Sequence, residues 1–132
     1  MTAFSDYLEN ELLDHTLKNL AFTSPAAVYV ALATASFADD NSGTANEIST
    51  TGTAYARQAA TFAAASGGSA STSATITYPT ATANWGTITH FGIYDASTAG
   101  NLLYHGALTA SKVINNGDTF EIQAGNLTVT LD

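Results

Sequence analysis

The chain reads as a mainly β protein, an antiparallel β-sandwich of jelly-roll-like type led by one N-terminal α-helix. Three observations predict it. Apolar residues recur at every second position through the second half, the alternation of half-buried strands. Clusters of Gly, Asn, Asp, Ser and Pro separate these runs at the roughly 8 to 15-residue spacing of sandwiches and jelly rolls. Only residues 4–20 carry helical spacing. The expected layout is one domain over residues 1–132, with a helix at 5–20 and about seven strands between residues 26 and 131.

The helix is expected in FSDYLENELLDHTLKNL, where Leu8, Leu12, Leu13, Leu17 and Leu20 fall in one stripe. Either Asp6 with Glu9, as a capping box, or Ser5 serves as its N-cap, and the early acidic residues suit the helix dipole. Thr23, Ser24 and Pro25 end it, because proline disfavours helical geometry in the residue before it. The helix either covers the β domain or docks outward on another subunit or a host surface.

A strand follows at 26–35, with Val28, Val30 and Leu32 on one face. Residues 36–52, polar and rich in turn formers, read as a long loop of the length at which loops are functional or mobile. Residues 53–65 are alanine-rich, yet their alternation and flanking threonines favour a strand, which carries Arg57. A shorter strand is expected at 71–78, ended by Pro79. In WGTITHFGIYD (85–95), Thr87, Thr89, Phe91 and Ile93 oppose Ile88, His90 and Tyr94. After the turn at 96–100, Leu102, Tyr104 and Leu108 alternate with Leu103, His105 and Ala107. The turn at 115–118 leads to Phe120 and Ile122, and the last strand sets Leu127, Val129 and Leu131 on one side. No period of solenoid length repeats.

Only 11% of residues are charged, with three Lys and Arg against eleven Asp and Glu, for a net charge of −8. That balance repels phosphate backbones and anionic lipid, so neither nucleic acid nor membrane is an expected partner. Uncharged Thr, Ser, Ala and Gly surfaces suit packing against other proteins. No run reaches membrane-span length and the first residues lack a basic leader region, so an unexported, soluble product is expected. There is no cysteine.

Nothing in the motifs points to catalysis. His15, His90 and His105 are isolated in sequence; His90 and His105 approach only if their strands pair, and two histidines make a poor metal site. Asp39, Asp40, Asn41, Ser42 and Glu47 offer oxygen ligands at a spacing unlike a calcium loop. No GxSxG is present, and the Ser66–Ser69 stretch lacks the lysine of a phosphate-binding loop. Arg57 is expected to pair with a carboxylate such as Asp95 or with an acidic patch on a partner. Trp85, Tyr78 and Tyr55 are expected in the core, or, in a carbohydrate-binding module, as a sugar-stacking platform. No enzyme activity, cofactor or metal is expected.

Three blocks carry a resemblance: SDYLENELLDH, GTAYARQAATFAAASGG, and ATANWGTITHFGIYDASTAGNLLYHGALTASK running into GDTFEIQAGNLTVTLD. Together they resemble small virion proteins of tailed bacteriophages, labelled tail fibre proteins and in some cases head decoration proteins. The resemblance implies a virion structural protein, assembled in the host cytoplasm. Capsid decoration ranks first: a cement protein, trimeric by preference, that binds the major capsid protein and stabilises the head. A tail or head fibre, or host-surface adhesion, ranks second. The candidate partner contacts are Tyr7, Leu8 and Leu12 on an outward-docking helix, with Arg57, Asp39 and Asp40.

Overall fold

In the computed structural model, which describes residues 2–131, nine strands and one α-helix follow in order. They are β1 (Thr2–Phe4), α1 (Asp6–Leu17), β2 (Val28–Ala33), β3 (Gln58–Ala60), β4 (Ser69–Ser71), β5 (Ile76–Thr77), β6 (Gly86–Tyr94), β7 (Leu102–Ile114), β8 (Glu121–Ile122) and β9 (Thr128–Thr130). All pairings are antiparallel. Five strands form one sheet in the order β1-β7-β6-β2-β3, and β4-β9 and β5-β8 form two short ribbons. The result is a mainly β fold consistent with a sandwich. A jelly roll instead distributes eight strands over two Greek keys.

The sheet is built on β2 and β6. Val30 lies opposite Ile93 and Leu32 opposite Phe91, and these four share a core with Tyr78, Phe120, Ile122, Leu127 and Val129 from the region of the ribbons. Cross-strand apolar pairs of this kind are the unit of sheet stabilisation. The opposite face carries a smaller cluster, Ala31, Ala33, Tyr94 and Leu102 with Phe37. Strand β2 is therefore buried on both sides, with Val30 to Ala33 all inaccessible, where the sequence pattern had favoured one face.

Several expectations are corrected. Ile88 and Phe91, three residues apart, both enter the main core, because the β6–β7 register is irregular between Ile88 and His90; such an irregularity breaks strict alternation. The strand expected at 53–65 is reduced to β3, and that at 71–78 is split into β4 and β5. Strand β7 runs on to Ile114, past Leu108, the last residue the alternation placed in it. Leu131, expected inward with Val129, is exposed.

Strand β1 was not expected. It pairs with β7 from Thr2↔Gly106 to Phe4↔Tyr104, and Thr2 Oγ1 accepts from Thr130 N–H at 3.3 Å, tying the sheet edge to β9. Helix α1 is shorter than residues 5–20. Ser5 is its N-cap, with extended backbone and Oγ accepting from Leu8 N–H at 3.2 Å, the standard way to satisfy an orphan donor. It ends at Leu17, before the proline is reached. Asn19 adopts left-handed φ 57°, and Leu20 N–H turns back to the Asp14 carbonyl at 3.2 Å.

The 36–52 segment packs against both clusters, Phe37 in the smaller one and Ile48 in the main core. Phe37 and Ile48 are buried, Ile48 N–H donates to Leu32 O at 3.0 Å, and a 3-10 segment kinked at Gly43 spans Ser42–Asn46. Gly92 makes room for it: a Cβ there would stand 3.0 Å from the Phe37 ring and 3.1 Å from Leu102 Cδ1.

Candidate interaction surfaces

The densest polar arrangement joins this covering loop to β2 and to the β6–β7 turn. Glu47 takes a two-pronged ion pair from Arg57, Nε to Oε1 and Nη2 to Oε2, each at 2.8 Å. The same Oε1 accepts from the Tyr55 hydroxyl at 2.9 Å, and that hydroxyl accepts from Leu32 N–H at 2.9 Å. Arg57 Nη1 donates to the carbonyls of Ala99 and Ala96 at 2.7 and 3.2 Å, and its guanidinium lies 3.6 Å from the Tyr94 ring centre. Planar, bidentate and stacked contacts of this kind suit arginine and not lysine.

Protonation follows from burial. Removal from water pushes the Tyr55 phenol up, with the Glu47 charge adding to it. Tyr94 is raised to about 12 by its own burial, against the opposing charge of Arg57. Burial works to lower the Arg57 pKa, yet hydrogen bonds and charge from Glu47 outweigh it and hold the group above its ordinary value. The network is a fixed ion pair with neutral phenols, a brace without a proton to exchange near neutrality.

This arrangement settles where Arg57 goes. Its side chain is 7% exposed, and its partner is Glu47, where the sequence had suggested Asp95. Asp95 instead accepts from the Asn101 backbone and side-chain amides at 2.7 and 2.9 Å, closing the β6–β7 turn. Arg57 therefore braces the fold and does not reach outward. Glu47 was legible only as a possible ligand for a cation, and its pairing with Arg57, ten residues on, had no sequence signal beyond opposite charge.

The candidate contacts at the helix divide. Leu8 is buried at 4% exposure and anchors α1, with Ser5 Oγ donating to the Leu102 carbonyl. Leu12 is half-buried. Tyr7 is exposed, its phenol raised by partial burial and by the charges of Glu11 and Asp95. Leu13, Leu17 and Leu20 face solvent, contrary to a stripe turned inward. Only one turn of the helix is anchored by a buried side chain.

Asp39 and Asp40 lie beside the helix start, where Asp6 N–H donates to Asp39 O at 3.0 Å. Asp39 also meets His105 Nε2. Asp40 caps its own turn, accepting from Ser42 N–H at 2.9 Å, and that bonding lowers its pKa. Asn41 Oδ1 accepts from the Tyr94 hydroxyl at 2.8 Å. The oxygen groups of this loop are thus turned to separate partners. Among the described residues no three His, Cys, Asp or Glu side chains gather at metal-binding distance.

Tyr55, Tyr78 and Trp85 form the aromatic centre of the main core, stacked or edge-on at 5.4 to 6.4 Å. Trp85 Nε1 donates to Thr53 O and Tyr78 Oη to Val30 O, both at 2.9 Å. With exposures of 5% or less, they cannot present a sugar-stacking platform. An apolar groove of about 270 Å³ opens between the sheet and the β4-β9 ribbon, lined by Val28, Phe62, Tyr104 and Leu131 among others, with no charged residue.

The outside carries a lightly anchored acidic helix, threonine-rich ribbons and an apolar groove. The chain is a phage structural protein of virion fibre type. It belongs to the family described as podophage GP4 fiber I protein gp80, whose profile matches residues 3–130. No curated protein matches the chain.

Proposed function

We propose that this protein is a fibre component of the virion and works by binding other virion proteins, without turnover of a substrate. The family match across nearly the whole chain carries the reading. Two features of the fold support it. The most buried ion pair, Arg57–Glu47, is consumed in bracing loops, and only 11% of residues are charged, which leaves broad uncharged faces suited to packing against other proteins. The fibre reading replaces capsid decoration as the first choice because the matched family is one of fibres. In this reading the chain also self-associates, a trimer being the order implied by the virion-protein resemblance.

Reconstruction of purified phage particles, with antibody-gold labelling of the chain, tests the proposal. A few copies at a fibre or its attachment point are expected. Hundreds of copies spread over the head shell would return the protein to capsid decoration and to the major capsid protein as partner. Its absence from particles would overturn a virion role.

A further inference from the structure

The outward face of α1 is built unlike a surface that stays in water. Asp6, Glu9, Leu13 and Leu17 follow one another at three- and four-residue steps, the spacing that places side chains on one face of a helix. Leu13, Leu17 and, just beyond the helix end, Leu20 are 54%, 75% and 49% exposed. The stripe is acidic at its N-terminal end and apolar at its C-terminal end. Scattered exposed leucines need no explanation; two at successive turns of one short helix, with a third just past its end, form a patch.

Charge decides what kind of partner fits. The helix carries Asp6, Glu9, Glu11 and Asp14 against Lys18 alone, and Lys18 sits 4.0 Å from Asp14 with both side chains well exposed. Asp39 and Asp40 add to the same end of the molecule, beside the helix start. A second copy cannot supply the complement. The chain has only three Lys and Arg; Arg57 is spent on Glu47, Lys18 belongs to the acidic helix itself, and Lys112 stands alone on β7.

We infer that Leu13 and Leu17 of α1, with Leu20 just past its end, dock into an apolar cleft with a basic rim on a different virion protein, making the helix the anchor of this chain on the particle. The leucines enter the cleft, and Glu9 and Asp14 meet the rim. This rests on the virion reading above and adds the surface and the chemistry of the partner. Self-association uses other faces.

The test uses the full chain and particles produced without it. Purified wild-type protein is added back, and bound copies per particle are counted by quantitative mass spectrometry at low and physiological salt. Leu13→Gln/Leu17→Gln is expected to bind about 100-fold more weakly, the loss that follows from two leucines denied burial. Glu9→Gln/Asp14→Asn is expected to bind about 10-fold more weakly and to lose the salt dependence that the wild type shows. Circular dichroism and sedimentation of both variants should match the wild type. Wild-type rebinding by the leucine variant overturns the inference, as does a change in its self-association, which would make the row a contact between copies. If wild-type protein itself fails to rebind to particles from which it was shown to be missing, the anchor assignment falls while a virion position established by imaging stands.

Discussion

The two faces of the five-stranded sheet are covered in different ways. Under the ribbons lies a continuous core in which Tyr55, Tyr78, Trp85 and Phe120 contact one another edge-on or stacked. Over the other face, Phe37 covers Ala31, Ala33, Tyr94 and Leu102, and the helix beside it contributes Leu8 as its one buried residue. The first face holds its partners by apolar area and by aromatic polar tips that find backbone carbonyls. The second holds its cover by backbone bonds, one ring and the Arg57–Glu47 brace. The difference teaches that burial is uneven: the ribbon side holds most of the core, and the helix is tied down by a single buried side chain.

Substitutions can sharpen or break this division. Trp85→Ala should cost about 4 kcal/mol, as large-to-small changes at buried aromatics do, seen as a lowered midpoint in urea unfolding. A loss under about 1 kcal/mol there would mean that the ribbon side is not the principal core. Glu47→Ala leaves Arg57 charged and unpaired and the Tyr55 hydroxyl without its acceptor, for an expected loss of about 3 kcal/mol. Hydrogen exchange should then show the 36–52 segment opening before the ribbons do.

Gly92→Val tests the cover directly. Its side chain would collide with Phe37 and Leu102, and overpacking of this kind costs about 2 kcal/mol. The near-ultraviolet signal of the Phe37 and Tyr94 region should change while that of Trp85 holds. Leu17→Gln lies at the other end of the scale: with its side chain in solvent, a shift within about 0.5 kcal/mol is expected, measured by thermal unfolding. A larger loss would show that the outward face of α1 supports the fold after all.

Much of the architecture was legible before the structure. Leu127 and Val129, Phe120 and Ile122, and Val30 and Leu32 were placed inward by alternation, and they are buried. The helix was legible from spacing and from Ser5. Its orientation was not, because five leucines in one stripe look the same whether the sheet beneath takes one of them or all. The 36–52 segment read as a loop because its composition is polar; the single signals against that were Phe37 and Ile48, apolar residues in a run otherwise made of turn formers. Among the contact candidates, Leu8 and Arg57 proved to be internal, and Tyr7, Asp39 and Asp40 stand at the surface beside the helix start.

Pattern alone, then, determined that this chain is mainly β with one leading helix, which side chains of most strands turn inward, and that its surface is acidic and sparsely charged. Those are local properties, since a two-residue period and a cap are written in neighbouring positions. The tertiary structure decided the rest: the pairing of β1 with β7, the two-sided burial of β2, the union of Glu47 with Arg57 and Tyr55, and the exposure of Leu13 and Leu17. Each depends on segments far apart in the chain meeting in space, and the energy of such a meeting belongs to both partners, so neither stretch of sequence records it by itself.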